Sequence, residues 1–152
     1  MAAFQFDGID EIMAGADKLS QLSDEELYGV VTPAAERLKE RYRDKISTLF
    51  RTITGTLADS FRLQKKSSGD GVTVTIAPKG KHPGSGRGKR MKRGRSSGKY
   101  SGTNAEIGYI LEYGSPRIQA SHWMEQTNEE AEEEVNAIMA DAWDQLITEK
   151  GL

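Results

Sequence analysis

Apolar and polar positions alternate along this chain in two different periods, and the switches between them mark the elements. Val30, Val31, Ala34, Leu38, Tyr42, Ile46, Leu49 and Phe50 follow Leu27 at three- and four-residue steps. That spacing lays them along one face of a long α-helix. Ser23-Asp24-Glu25-Glu26 stands before it as a capping box, in which Ser23 and Glu26 each satisfy the other's backbone N–H. Gly29 and Pro33 weaken the first turns, which leaves room for a kink or for a start at Pro33. Thr54-Gly55 is expected to end the helix. The period then drops to two. Phe61 and Leu63 alternate with Arg62 and Gln64, and Val72, Val74 and Ile76 with Thr73 and Thr75. With a Gly-rich turn from Lys66 to Gly71 between them, these runs predict a β-hairpin. Ala105, Ile107, Tyr109, Leu111 and Tyr113 alternate with Glu106, Gly108, Ile110 and Glu112, which predicts a third strand stopped by Gly114 and Pro116. Thr127-Asn128-Glu129-Glu130 reads as a second capping box. Ala131, Val135, Ile138, Met139, Ala142, Leu146 and Ile147 behind it form a second helical stripe.

The expected fold class is therefore α+β. A small antiparallel sheet of about three strands is covered by a long N-terminal and a C-terminal helix, because so small a sheet cannot bury its face alone. One domain is expected over residues 23–147. Residues 1–22 form an N-terminal arm whose Phe4, Phe6, Ile9 and Ile12 could dock on the body or a neighbour, and residues 148–152 form a tail. No internal repeat is visible.

Charge changes this picture more than composition does. Residues 79–99 carry nine Lys or Arg, no Asp or Glu, and six Gly. The remainder carries 12 Lys or Arg against 23 Asp or Glu, a net of −11 hidden beneath a total of −2. Residues 78–104 are thus a long basic loop on an acidic body, a segregation that implies a polyanion or another copy's acidic face as partner. No Lys or Arg occurs from Ile118 to Glu149, so the C-terminal helix is acidic. The loop's only aromatic is Tyr100, at its end, so stacking on bases is not expected and any DNA contact would be to phosphates without sequence preference. Folded back on itself, a loop of about 26 residues reaches about 40 Å. Duplex DNA presents about 24 phosphates over that length. Several copies would exceed that demand, which leaves some cations for acidic protein.

Candidate chemistry is sparse. There is no Cys, hence no disulfide or thiolate chemistry. His82 and His122 are the only histidines and lack metal-ligand spacing, so no metal or cofactor is expected. Gly84-Ser85-Gly86-Arg87-Gly88-Lys89-Arg90 departs from the phosphate-loop spacing and has no Ser or Thr after its Lys. No nucleophile–base–acid set suggests itself, and no catalytic residue is assigned. No run approaches the 18 apolar residues of a membrane span, and the first residues do not read as a signal peptide.

Three landmarks stand in order around these elements: Thr54-Gly55-Thr56-Leu57-Ala58-Asp59-Ser60, then Tyr109-Ile110-Leu111-Glu112-Tyr113-Gly114-Ser115, then Ala120-Ser121-His122-Trp123-Met124 before a Glu-rich helix. Together they resemble the tail-completion and head–tail joining (neck) proteins of long-tailed bacteriophages, the group of the lambda minor tail protein Z type. Three departures are Ile53 where a Pro often stands, His122-Trp123 where Pro-Phe often stands before the Met, and a basic loop far longer than the usual strand-to-strand connection. The resemblance implies a non-enzymatic virion protein, made in the host cytoplasm and built into the neck of the particle. It implies self-association into a ring of about six copies and contact with a tail-tube or tail-terminator protein and with a head connector or stopper protein. DNA would pass through the ring.

On this reading the cations Lys79, Lys81, Arg87, Lys89, Arg90, Lys92, Arg93, Arg95 and Lys99 contact DNA or an acidic partner. Glu112, Tyr113, His122, Trp123, Glu129, Glu130 and Glu133 are expected at subunit or partner interfaces. The alternative is a free, sequence-nonspecific nucleic-acid-binding protein that uses the same 79–99 loop.

Overall fold

A computed structural model describes residues 9–50, 55–69, 71–80, 91–92, 95–96 and 103–151. Helix α1 spans Ile9–Ser20 and helix α2 spans Asp24–Leu49. The arm expected over residues 1–22 thus includes a helix, tied to the body by Lys18 Nζ, which donates to the carbonyl of Gly151 at 3.0 Å. The capping box at the head of α2 forms as expected, with Ser23 N donating to Glu26 Oε2 at 2.8 Å and Glu26 N to Ser23 Oγ at 3.3 Å. Pro33 lies inside α2, so the helix neither waits for Pro33 nor reaches Gly55. It ends at Leu49, and Phe50 N donates to the carbonyl of Ile46. Gly55 instead opens a one-turn helix, α3, Gly55–Ala58; Ile53 and Thr54 fall outside the described residues.

Strands β1 (Phe61–Ser68) and β2 (Gly71–Pro78) pair antiparallel with Phe61 opposite Pro78 and Ser68 opposite Gly71. The expected hairpin is present with a tighter turn, since Lys66, Ser67 and Ser68 belong to the ladder. Val72, Val74 and Ile76 are half-buried while Thr73 and Thr75 are exposed, as the period of two requires. Two-residue strands β3 (Met91–Lys92) and β4 (Arg95–Ser96) pair within the basic segment.

The third strand of the sequence reading is a helix. Helix α4 covers Asn104–Tyr113. Its start was legible in Thr103-x-x-Glu106, a capping box in which Thr103 N donates to Glu106 Oε2 at 2.7 Å and Glu106 N to Thr103 Oγ1 at 3.2 Å. The alternation over 105–113 misleads because Tyr109 and Tyr113 are apolar by type but exposed. The buried positions are Asn104, Gly108, Leu111 and Glu112, a helical spacing. Gly114 then closes α4 at φ +81°. A Cβ there would stand 2.8 Å from Ala120 N and 2.9 Å from the carbonyl O of Ile118, so only glycine fits this turn.

Helix α5 covers Trp123–Lys150, which corrects the second capping box. Thr127 lies in the second turn, and its hydroxyl donates back to the carbonyl of Trp123 at 2.6 Å. Helix α5 runs antiparallel to α2: Lys45 meets Glu130 at 2.7 Å near one end, and Lys150 meets Glu26 at the other. Between them Glu134 accepts from Arg37 at 2.7 Å and from Arg41 at 2.6 Å. Helix α2 is the spine, with the hairpin on one flank and α5 on another.

The core sits where these elements converge. Tyr42, Ile46, Leu57, Ala58, Phe61, Leu111 and Trp123 are buried together. Three rings form its centre, with Tyr42–Trp123 centroids at 5.4 Å, Tyr42–Phe61 at 5.7 Å and Phe61–Trp123 at 5.9 Å. Two of these contacts are edge-on, the arrangement the ring quadrupole favours. The polar tips are satisfied: Tyr42 donates to Asn128 Oδ1 at 2.5 Å and Trp123 Nε1 to the carbonyl of Gly108 at 3.4 Å. Burial pushes the Tyr42 hydroxyl pKa up. No helix among the described residues is long and apolar enough to cross a membrane.

Candidate functional site

The basic segment leaves the body at one clamp. Asn104, 2% exposed, donates its backbone N–H to the carbonyl of Gly80 at 2.9 Å and its side-chain amide to the carbonyl of Lys79 at 2.8 Å. One residue thereby ties the two ends of the excursion together at the N-terminus of α4. The clamp brings the chain on either side of the basic segment to one place, at Lys79, Gly80 and Asn104. Lys79 is exposed beside it. Lys92 stands opposite Arg95 in the β3–β4 register. Lys81, Arg87, Lys89, Arg90, Arg93 and Lys99 lie outside the described residues, as does the phosphate-loop-like run 84–90.

The expected interface residues divide into two sets. Glu112 and Trp123 are inside the chain. Trp123 is fully buried in the core. Glu112 is 4% exposed, and its carboxylate caps α5: Met124 N donates to Oε2 at 2.7 Å and Glu125 N to Oε1 at 3.3 Å. A carboxylate suits this place because the first N–H groups of a helix have no partner in the helix itself and its dipole favours an anion. His122, the residue before α5, adopts the left-handed conformation at φ 50° and makes no side-chain cap. Glu112 supplies from α4 what His122 does not. His122 N and Ser121 N in turn donate to the carbonyls of Glu112 and Leu111 at 3.1 and 3.0 Å, so the end of α4 and the start of α5 are locked together.

Tyr113, His122, Glu129, Glu130 and Glu133 are at the surface. Glu130 is occupied by Lys45, whereas Glu129 and Glu133 make no ion pair among the described residues. Tyr113 packs against Tyr109 at a tilt of 48° with centroids 4.7 Å apart, and the two are 60% and 64% exposed. Ile118, in the turn after α4, is also exposed. Tyr113, Glu125, Asn128 and Glu129 line one shallow groove with Met124 and the edge of Glu112. Tyr109 escaped the sequence reading because a third strand would have turned it inward; the helical step of four between the two tyrosines is the signal that finds it.

Glu112, His122 and Glu125 place ligand-type atoms within 4.8 Å of one another, with His122 Nδ1 and Glu125 Oε2 at 3.4 Å. A divalent cation could be held at such a spacing. Both Glu112 oxygens already accept backbone N–H groups, however, and the cluster is accounted for as the cap of α5. Elsewhere on α5, Glu134 is held below the usual carboxylate range by hydrogen bonds from Arg41 and Arg37. Comparison of the chain with protein families, with curated proteins and with solved structures gives no match.

Proposed function

We propose that this protein is a structural subunit of a phage-like virion neck, self-associating into a ring of about six copies at the junction of tail and head. The observation that carries the reading is that one chain bears both halves of a charge-complementary contact. Nine cations follow the body at the Asn104 clamp, while Glu129, Glu132 and Glu133 stand exposed on α5. Two unlike patches on one subunit make a head-to-tail contact, and such contacts close into rings when the rotation permits. The residue pattern that resembles neck proteins supports the same assignment. The partners on this reading are a tail-tube or tail-terminator protein on one face, a head connector or stopper protein on the other, and packaged DNA in the channel. No catalytic role is proposed.

Native mass spectrometry of the full-length protein, followed by electron microscopy of particles assembled with it, tests this. The expected result is a closed ring located at the neck. Replacement of the nine arm cations by Gln should then leave heads and tails unjoined. A monomer that is absent from particles and binds DNA with an affinity falling steeply in salt would overturn the proposal in favour of a free nucleic-acid-binding protein.

A further inference from the structure

We propose that the groove beside the Tyr109–Tyr113 pair is a cation-accepting dock, and that its occupant is the Arg- and Lys-rich 79–99 segment of a second copy. The inference rests on the ring reading and names the contact that builds it. The groove combines two features that select guanidinium and ammonium groups. Tyr113, packed at 4.7 Å and a 48° tilt against Tyr109, lines the groove with an aromatic ring of the kind that attracts a planar cation. Glu125 and Glu129 stand along the same groove and supply carboxylates to the donors at the edge of that cation.

The charge ledger points to the same occupant. Glu129 makes no ion pair among the described residues, and Glu125 is paired there with His122 at 3.4 Å, a pair that requires a protonated imidazole. The chain's own surplus of positive charge is concentrated in residues 79–99. Tyr109 and Tyr113 remain 64% and 60% exposed in the single chain, with its own basic segment tethered one ten-residue helix away at Asn104. At about 1.5 Å per residue that separation is about 15 Å, so the tether alone would hold the segment at high effective concentration. The ring reading assigns the segment in the groove to a neighbouring copy, and the isotope-mixed crosslink separates that occupant from the chain's own segment.

The test is photo-crosslinking from the full-length Tyr113→p-benzoylphenylalanine variant, prepared from mixed heavy- and light-isotope protein and read by mass spectrometry. Crosslinks from position 113 to residues 79–99 that join heavy to light chains are the expected result. Crosslinks confined to like-isotope chains would show the segment docking on its own body, and crosslinks elsewhere would show a different occupant; either overturns the proposal. As a second readout, Tyr109→Ala/Tyr113→Ala and Glu125→Gln/Glu129→Gln should each weaken self-association by about tenfold or more while leaving the far-ultraviolet circular dichroism unchanged. These side chains are exposed, so their loss does not threaten the fold. If a ring forms at the neck without the heavy-to-light crosslink, this contact is wrong and the ring reading stands. If no oligomer forms at any concentration, the ring reading itself fails.

Discussion

Replacing Glu112 by Ala removes the one acceptor that serves the start of α5. Two backbone donors, Met124 N at 2.7 Å and Glu125 N at 3.3 Å, would be left without it at a place where Glu112 is 4% exposed. A hydrogen bond to a charged group contributes about 1.5–3 kcal/mol, and the longer of these two contributes at the low end. Against this stands the cost of holding a carboxylate away from water, which the substitution recovers in part. The expected net loss is about 2–3 kcal/mol. For a chain of this size each kcal/mol moves the melting temperature by about 2–4 °C, so thermal unfolding followed by circular dichroism should shift downward by roughly 4–12 °C. Glu112→Gln separates charge from shape. One amide oxygen still accepts, but the NH2 group meets a backbone N–H donor, and about half of the loss is expected. A melting temperature within about 1–2 °C (about 0.5 kcal/mol) of wild type for Glu112→Ala would refute the cap and leave Glu112 available for the Glu112–His122–Glu125 cation cluster instead.

Three further perturbations probe other joints of the fold. Gly114→Ala forces a Cβ to 2.8 Å from Ala120 N at φ +81° and should cost about 3 kcal/mol, read as a lower midpoint in urea; an unchanged midpoint would refute the close approach. Tyr42→Phe loses the 2.5 Å bond to Asn128 while keeping the ring contacts, and should cost about 1 kcal/mol in the same assay. Glu26 is held near a pKa of about 2, first by its bond to Lys150 and then by the Ser23 backbone. Its folded value lies below the ordinary one of 4.5, so its contribution is present above that pH and is lost as the pH falls through about 2. The stability difference between wild type and Glu26→Gln should therefore be full at neutral pH and vanish in strong acid; a difference constant across that range would refute the pairing.

What the chain discloses by eye follows from which interactions are local. The capping box Ser23–Glu26, the α2 stripe and the β1–β2 hairpin depend on residues within a few positions of each other, and they form as the pattern requires. The element read wrongly, α4, is amphipathic in the unusual sense that its exposed face carries Tyr109 and Tyr113. Polarity alone then mimics a strand, and only Thr103 and Glu106 betray the helix. The start of α5 was hidden for a related reason. Its cap is Glu112, a residue of the preceding helix, and a donor–acceptor match across the intervening turn leaves no local signature. Thr127-Asn128-Glu129-Glu130 offered such a signature and was a decoy. The same holds for Asn104, whose role as clamp requires Lys79 and Gly80 to be brought beside it.

The clamp at Asn104 constrains what the basic segment can do for a ring. On the proposed ring, a body of net −11 would repel DNA as well as copies of itself, and the nine cations would offset both. Each cation has one place to go. Those that would seat on a neighbour's Tyr113, Glu125 and Glu129 could not also neutralise phosphate, and those on phosphate could not hold the neighbour. In the proposed dock Glu129 makes no ion pair among the described residues and Glu125 is shared with His122, so on that proposal the groove would engage a minority of the segment and leave the rest for the channel. On the proposed ring, subunit joining and DNA contact would be divisions of one segment rather than rival roles, and the division would be set by how many acidic positions the neighbour presents.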